Sequence, residues 1–344
     1  MVEITVRGAG IFGLSIAWAC VMRGANVQVI DPHGPAAGAS GGVVGALAPH
    51  VPENWNTKKQ FQRDSLVAAR DFWPMIDGIS GIDSGYARLG RLQPIPDKHA
   101  LTLAQGRVAG ANEHWGDLAQ WVIVDQVPDW VPPSATGRWV WDDMTARINP
   151  QMACRSLAAA LQTRGYGILT QGDDRGRVIW AAGAQDLAQI SQHIGRDLGR
   201  GEKGQAAVFD LDLRDSPQLY IDSLHITPHA DGTTAIGSTS ERNYDDPMDT
   251  DQRLDDLIAK ARSLVPALAD RAVIRRWAGA RPRTKTRAPV LGPHPVYRDA
   301  FIANGGFKIG FGMALGVAEV MADLVVDGID RIPDDFRTEH WIKR

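Results

Sequence analysis

Three glycines, Gly8, Gly10 and Gly13, stand at G-x-G-x-x-G spacing in the stretch VRGAGIFGLSIAWACVMRGANVQVIDP, residues 6–32. Glycines at that spacing handle phosphate through the backbone. Gly8 permits a tight turn, Gly10 lets N–H groups approach a pyrophosphate, and Gly13 lets helix and strand pack closely. Ile11 and Phe12 complete the turn and open a helix, whose unpaired N–H groups and positive dipole end attract phosphate. Asp31, 18 residues after Gly13, is placed to accept hydrogen bonds from an adenosine ribose.

A glycine-tolerant turn that binds nothing is the bland alternative, and the flanking pattern argues against it. Ile4 to Val6 read as a short buried strand. Leu14, Ala17, Trp18 and Val21 recur on one helix face, Gly24 ends that helix, and Val27 to Ile30 form a second strand. Strand, glycine turn, helix, strand and acid together predict a dinucleotide site, and the spacing leaves open which dinucleotide. Arg7 is irregular, because an apolar residue usually ends the first strand.

A second cluster with chemical potential is basic: Arg275, Arg276, Arg281, Arg283, Lys285 and Arg287. The whole chain has 344 residues and a net charge of −3, so there is no basic footprint for nucleic acid. Hydrophobic content of 44% and charged content of 22% are ordinary for a globular protein of one or two domains. Cys20 and Cys154 are the only cysteines. Two thiols make no disulfide framework, which favours a reducing compartment. The chain opens directly into strand-like EITV without a signal-type segment, and no apolar run is long enough to span a membrane. A cytoplasmic protein is expected.

The remaining elements must position these groups. Residues 33–50, HGPAAGASGGVVGALAPH, include Ser40, Gly41 and Gly45, and their small side chains suggest backbone lying close to something flat or bulky. Residues 60–76 read as a helix, 86–141 as short β-prone pieces forming sheet, 151–164 as a helix and 176–184 as a buried strand ending in a glycine turn. Residues 219–238 read as two strands around an Asp231-Gly232 turn. Leu254, Leu257, Ile258, Ala261 and Leu264 mark a helix broken by Pro266. FIANGGFKIGFGMALGVAEVMADLVVDG is a second strand–turn–helix, in which Gly306, Lys308 and Gly310 occupy the turn. Nucleotide-type elements at both ends predict a discontinuous cofactor domain (1–75, 145–205 and 285–344) interrupted by a substrate domain (76–144 and 206–284).

These pieces resemble the D-amino-acid oxidase / glycine oxidase family of FAD-dependent oxidoreductases. The resemblance rests on GAGIFG…VIDP, GASGGVVGALAP, VIWAAGA, HITPHADGTTAIGSTSE, WAGARPRTKTRAPVLG and NGGFKIGFGMALGVAEVMADL, which follow family order across nearly the whole chain. It implies an α/β fold: a Rossmann-type FAD-binding domain with a second, mainly antiparallel-sheet substrate domain. By position, Asp31 would hold the ribose, Ser40, Gly41 and Gly45 the pyrophosphate and flavin, and Ala182 and Gly183 would pass near the adenosine or pyrophosphate. Arg281 would pair with the substrate carboxylate, Lys308 would be a second basic contact, and His225 would fall at a substrate-contacting position. The family's covalent variants use a cysteine near 284–290. None is present there, so the FAD is expected to be non-covalent. The 165–178 region is short for the family, which would reduce one flavin-side hairpin and weaken cofactor retention.

The implied reaction is oxidative deamination of glycine, sarcosine or a D-amino acid. Hydride would pass from Cα to flavin N5, the imine would be released and hydrolysed, and O2 would take the electrons to give H2O2. Two other readings stay open: a dehydrogenase of the same fold with another electron acceptor, and a tRNA-modifying flavoprotein using the 271–287 basic run. The expected partners are a small amino acid and an electron acceptor, without a metal and without a membrane span. An oligomer is compatible with the sequence.

Overall fold

The computed structural model describes residues 2–342. From the N-terminus the elements are β1 (Glu3–Arg7), α1 (Ile11–Met22), β2 (Asn26–Ile30), β3 (Ala46–Leu47), α2 (Thr57–Ser80) and β4 (Arg91–Pro94). Next come α3 (Lys98–His114), β5 (Trp121–Val124), β6 (Trp139–Asp142), β7 (Ala146–Arg147), α4 (Pro150–Thr163) and β8 (Ile168–Leu169). Then follow β9 (Arg177–Trp180), α5 (Gly183–Ile194), β10 (Gly199–Phe209), β11 (Gln218–Ile221), β12 (Leu224–Pro228) and β13 (Thr234–Gly237). The chain closes with α6 (Gln252–Leu264), β14 (Val273–Thr284), β15 (Val290–Pro293), β16 (Ala300–Asn304), α7 (Gly310–Ala322) and α8 (Glu339–Ile342).

Two sheets organise them. A six-stranded sheet runs β15-β16-β9-β1-β2-β8, with β16, β9, β1, β2 and β8 parallel and β15 antiparallel at the edge. An eight-stranded, mostly antiparallel sheet runs β14-β10-β13-β12-β11-β4-β6-β5. Its single parallel pair is β4 with β11. The strands of the first sheet come from both ends and the middle of the chain. β10 lies in the second sheet over its whole length, paired with β14 from Gly199 opposite Thr284.

The core of the first unit forms where Ile4, Val6, Val27, Val29 and Ile179 face Leu14, Ile16, Ala17, Met313, Val317 and Met321 of α1 and α7. The outer face of the second sheet buries Leu92, Ala207, Phe209, Leu219, Ile226 and Ile236 beneath α6. Strict alternation then turns the other residues of those strands inward, toward the cofactor unit.

The opposite face of the six-stranded sheet explains Arg7. Residues 170–176 form the single loop between β8 and β9, so no hairpin is present to cover β1. The loop covers it with polar contacts: Thr5 Oγ1 donates to the Arg175 carbonyl at 2.9 Å, and Arg7 pairs with Asp174 at 2.8 Å while lying 5.2 Å over the Trp180 ring. An apolar residue at position 7 presupposes an apolar cover that this chain lacks.

Three sequence expectations change. The 86–141 region contains, besides its short strands, the 17-residue α3, whose N-cap Asp97 accepts from Ala100 N at 2.8 Å. Residues 218–237 form three strands, because a further tight turn at Asp222-Ser223 takes left-handed φ angles of 46° and 64°. α7 begins at Gly310 itself, so that this glycine opens the helix and the turn ends one residue earlier than its pattern indicates.

Candidate active site

The site begins at the carboxyl ends of β1 and β2. Gly8 has φ +111°, and a Cβ there would lie 2.4 Å from the Ala181 carbonyl oxygen. Only glycine fits. At Gly13 a Cβ would lie 1.9 Å from the Gly8 carbonyl oxygen, so the close packing of turn on helix is an observed fact. Asp31 closes the turn from β2: its Oδ2 accepts from Ala9 N at 2.7 Å and its Oδ1 from His33 N at 2.9 Å. Ser40 Oγ accepts from Ile11 N at 3.0 Å and so caps α1 from outside.

The second glycine turn lies directly alongside. A Cβ at Gly306 would meet the Phe12 ring at 3.1 Å, and one at Gly310 would meet Ile11 Cγ2 at 3.9 Å. The N-termini of α1 and α7 are therefore neighbours, and neither has a cap from its own N-cap side chain. Two positive helix ends side by side make an anion-attracting crevice. Ala182 and Gly183 border it: Gly183 takes φ +76°, and its carbonyl accepts from Asn304 Nδ2 at 2.9 Å. Burial pushes the Asp186 carboxyl, next to Asn304 on α5, up to about 6.

The small-residue loop spans the gap between the two sheets. Gly41 and Gly45 are required by backbone packing, since a Cβ would lie 2.3 Å from the Ala36 oxygen and 1.7 Å from the Ile148 oxygen respectively. Beyond them Val44 fills the space over Gly237, and His229 Nε2 meets the Val43 carbonyl at 2.8 Å. Trp277 occupies the space over Gly42 and Gly279.

Register across the eight-stranded sheet puts the polar residues on one face, in two rows. Tyr220, His225, Gly237, Ala206 and Trp277 lie opposite one another in turn, and Glu202 lies opposite Arg281 four residues further along β10 and β14. Arg281 is 9% exposed and lies across Gly204. Its Nη2 donates to Ser238 Oγ at 2.6 Å and its Nη1 to the Thr239 carbonyl at 3.2 Å. Burial pulls its pKa down to about 10, against the opposing pull of Glu202 and Glu241, so it is charged at neutral pH. A guanidinium has five donors, and these two bonds leave the rest available.

Lys308 lies on the same side. Phe307 N donates to the Pro282 carbonyl at 3.1 Å, which ties the Lys308 turn to β14, and the ammonium lies 5.6 Å over the Phe307 ring. Burial and the neighbouring Arg281 lower its pKa. The His225 ring lies 4.7 Å from that of Tyr220, tilted by 50°, and its buried Nδ1 has no hydrogen-bond partner among the described residues. Burial, with Arg91 and Lys308 nearby, drives its pKa down to about 3, so it is neutral. Arg281, Lys308 and His225 thus lie on the inner side of one sheet.

Residues 3–324 match the DAO family, described as FAD dependent oxidoreductase. The chain belongs to this family. It is 27% identical over 362 residues to a glycine oxidase of Pseudomonas aeruginosa, covering 94% of each protein. A bifunctional ThiO/ThiG protein of Trichormus variabilis is 25% identical over 359 residues, 94% of this chain and 53% of that protein. A tRNA 5-methylaminomethyl-2-thiouridine biosynthesis bifunctional protein, MnmC of Maricaulis maris, is 29% identical over 347 residues, 97% of this chain and 54% of that protein. The chain therefore spans about half the length of these bifunctional relatives. The crystal structure of glycine oxidase from Geobacillus kaustophilus superposes with a TM-score of 0.83 at 18% identity, covering 98% of both chains.

The protein is thus an FAD-dependent oxidoreductase of the DAO family, and its residues fit that cofactor. The adjoining ends of α1 and α7, the strained Gly8 turn and the Asp31 carboxylate suit a pyrophosphate-linked dinucleotide. Cys20 and Cys154 are buried, free and far in sequence from 284–290. Among the described residues no group of three or more His, Cys, Asp or Glu is arranged to hold a metal, and no helix is long and apolar enough to cross a membrane. Sequence reasoning missed Ser238, Thr239 and the acids behind Arg281. The signal available was GSTSE (237–241), whose hydroxyls lie beside the glycine that faces His225.

Proposed function

We propose that the protein oxidises a small amino acid, in the class of glycine, sarcosine or a D-amino acid, to the imine. One observation carries the reading: a buried, charged Arg281 held from behind by Ser238 and Thr239, with donors to spare. A guanidinium so fixed grips both oxygens of a carboxylate and orients the atoms beside it. Lys308 adds a second positive contact, and the neutral His225 offers a ring nitrogen without adding charge. An amine that binds neutral needs no dedicated base, and the imine hydrolyses after release. FAD held by Asp31, Ser40, Gly8, Gly10, Ile11, Phe12, Gly13, Gly41, Gly45, Ala182, Gly183, Gly306, Lys308 and Gly310 would supply the redox chemistry, accepting hydride from Cα and passing electrons to O2. Anaerobic bleaching of the flavin by a panel of glycine, sarcosine, D-amino acids and L-proline tests the reading. Repeating the panel in air with peroxide detection separates an oxidase from a dehydrogenase.

The likeness to MnmC favours a second reading, with the 271–287 run holding tRNA. The structure supports it less. Alternation along β14 sends Arg281 and Arg283 inward, Arg283 pairs with Glu202 at 3.1 Å, and Arg276 pairs with Asp255. A salt-sensitive tRNA gel shift would favour that reading.

A further inference from the structure

The inner face of the eight-stranded sheet has a notch beside the carboxylate anchor. In the row Tyr220, His225, Gly237, Ala206, Trp277 the positions between the rings carry no side chain at Gly237 and a single methyl at Ala206. Gly237 is followed directly by Ser238, whose hydroxyl accepts from Arg281 Nη2 at 2.6 Å. Ala206 stands two residues from Gly204, across which the guanidinium lies. Notch and anchor therefore share one stretch of surface.

Val44 enters the notch from the small-residue loop. A Cβ on Gly237 would lie 2.6 Å from Val44 Cγ2 and 3.2 Å from the Ala206 Cβ, so glycine at 237 is what admits the valine. Val44 packs against the cluster of Val43, Ala206, Val208 and Ala235. It keeps part of its surface open, whereas Val43 before it and Gly45 after it are buried. The loop cannot withdraw it. On one side Gly41 is pressed against the Ala36 carbonyl, and a Cβ on Gly42 would already touch the Trp277 ring at 3.5 Å; on the other, Gly45 is pressed against the Ile148 carbonyl. Between them His229, 4% exposed, donates from Nε2 to the Val43 carbonyl at 2.8 Å. A valine side chain turns about one torsion, and its branch at Cβ stiffens that torsion. Val44 is thus a fixed apolar wall next to Arg281.

An amino acid gripped by Arg281 carries its Cα one bond beyond the carboxylate, so whatever Cα bears is set down beside this wall. We infer that Val44 determines substrate size, restricting the site to amino acids with no substituent larger than a methyl on Cα. The inference rests on the amino-acid oxidation reading above and narrows it to the smallest members of that class.

Two ladders test it on the FAD-loaded protein. The first needs no turnover. Acetate, propionate, isobutyrate and pivalate add methyls one at a time to the carbon beside the carboxylate, and their dissociation constants are read from the perturbed flavin spectrum. A misfit of one methyl in such a pocket changes discrimination by about ten- to two-hundredfold. Binding should therefore fall about tenfold or more from propionate to pivalate in wild type, and Val44→Ala should flatten that fall. Gly237→Ala, which pushes against the Val44 methyls, should weaken acetate, and adding Val44→Ala should restore it, a coupling that independent sites do not show. The second ladder is anaerobic flavin reduction by glycine, D-alanine and D-valine. Glycine or D-alanine should lead D-valine by about tenfold or more, with the lead shrinking several-fold in Val44→Ala. A flat carboxylate ladder in wild type, or one equally steep in Val44→Ala, overturns the inference while amino-acid oxidation stands. If the carboxylate ladder responds to Val44 but no amino acid reduces the flavin, the oxidation reading falls and Val44 keeps its role as the size limit of the carboxylate site. If no carboxylate binds, the anchor and the inference fall together.

Discussion

Arg281 lies against the bare backbone of Gly204: a Cβ on Gly204 would be 1.8 Å from the Arg281 Nη2. The two residues sit on neighbouring antiparallel strands, β14 and β10, and the missing side chain is what lets the guanidinium lie flat beneath Ser238 and Thr239. The carboxylate anchor therefore depends on an absence of volume as much as on its own charge.

Gly204→Ala follows from that contact. The displaced group is the end of a flexible side chain, so the fold should tolerate the change at a cost of about 1–3 kcal/mol. Flavin content should stay near wild type while amino-acid-driven flavin reduction falls by about tenfold or more. An unaltered reduction rate would show that Arg281 has no fixed position to lose.

Asp31→Ala should weaken FAD binding without unfolding the chain. Its two carboxylate oxygens organise Ala9 and His33 in this structure, and the ribose adds demand on the same group. Charged hydrogen bonds of this kind are worth roughly 1.5–3 kcal/mol each, so a loss of about ten- to a hundredfold in FAD affinity is expected. Equilibrium dialysis against FAD measures it, and unchanged affinity would assign Asp31 to shaping the turn alone.

Asp186 gives a pH signature. Its carboxyl ionises at about 6 when folded and at 3.8 ordinarily, through burial beside Asn304. A raised carboxylate pKa means the folded state prefers the proton, so this contribution to stability is complete below 3.8 and is lost as pH rises through 6. At neutral pH the loss is at most about 3 kcal/mol. Asp186→Asn should match wild type near pH 4 and exceed it at pH 8 in urea midpoint. Parallel curves for the two proteins would show that Asp186 ionises normally.

What could be read from the chain depended on range. The Gly8 turn, α1, Asp31 and α7 follow from local periodicity and spacing, which short-range packing then enforces. Arg281 was legible through the family resemblance of WAGARPRTK, since by its local pattern it is one arginine of a basic run. α3 was not legible, because it buries only Ala104 and Ala111 and so lacks a strong apolar stripe. The turn at Asp222-Ser223 adopts left-handed backbone without glycine, against the usual turn chemistry. Ser238 holds Arg281 from 43 residues away, through a register of three strands that no local pattern specifies.

The central claim is that Arg281 holds the substrate carboxylate, and one ratio tests it. Flavin reduction by the best amino acid and by the matched amine lacking the carboxylate is measured without oxygen, in wild type and in Arg281→Ala. The account predicts a normal flavin spectrum in the variant and amino-acid reduction down by orders of magnitude, about 2–5 kcal/mol for a truncated buried charge pair. The amine should change far less, and Arg281→Lys should recover little, since an ammonium lacks the two-pronged geometry. An equal fall for amino acid and amine would contradict the account and assign Arg281 to the fold or the flavin.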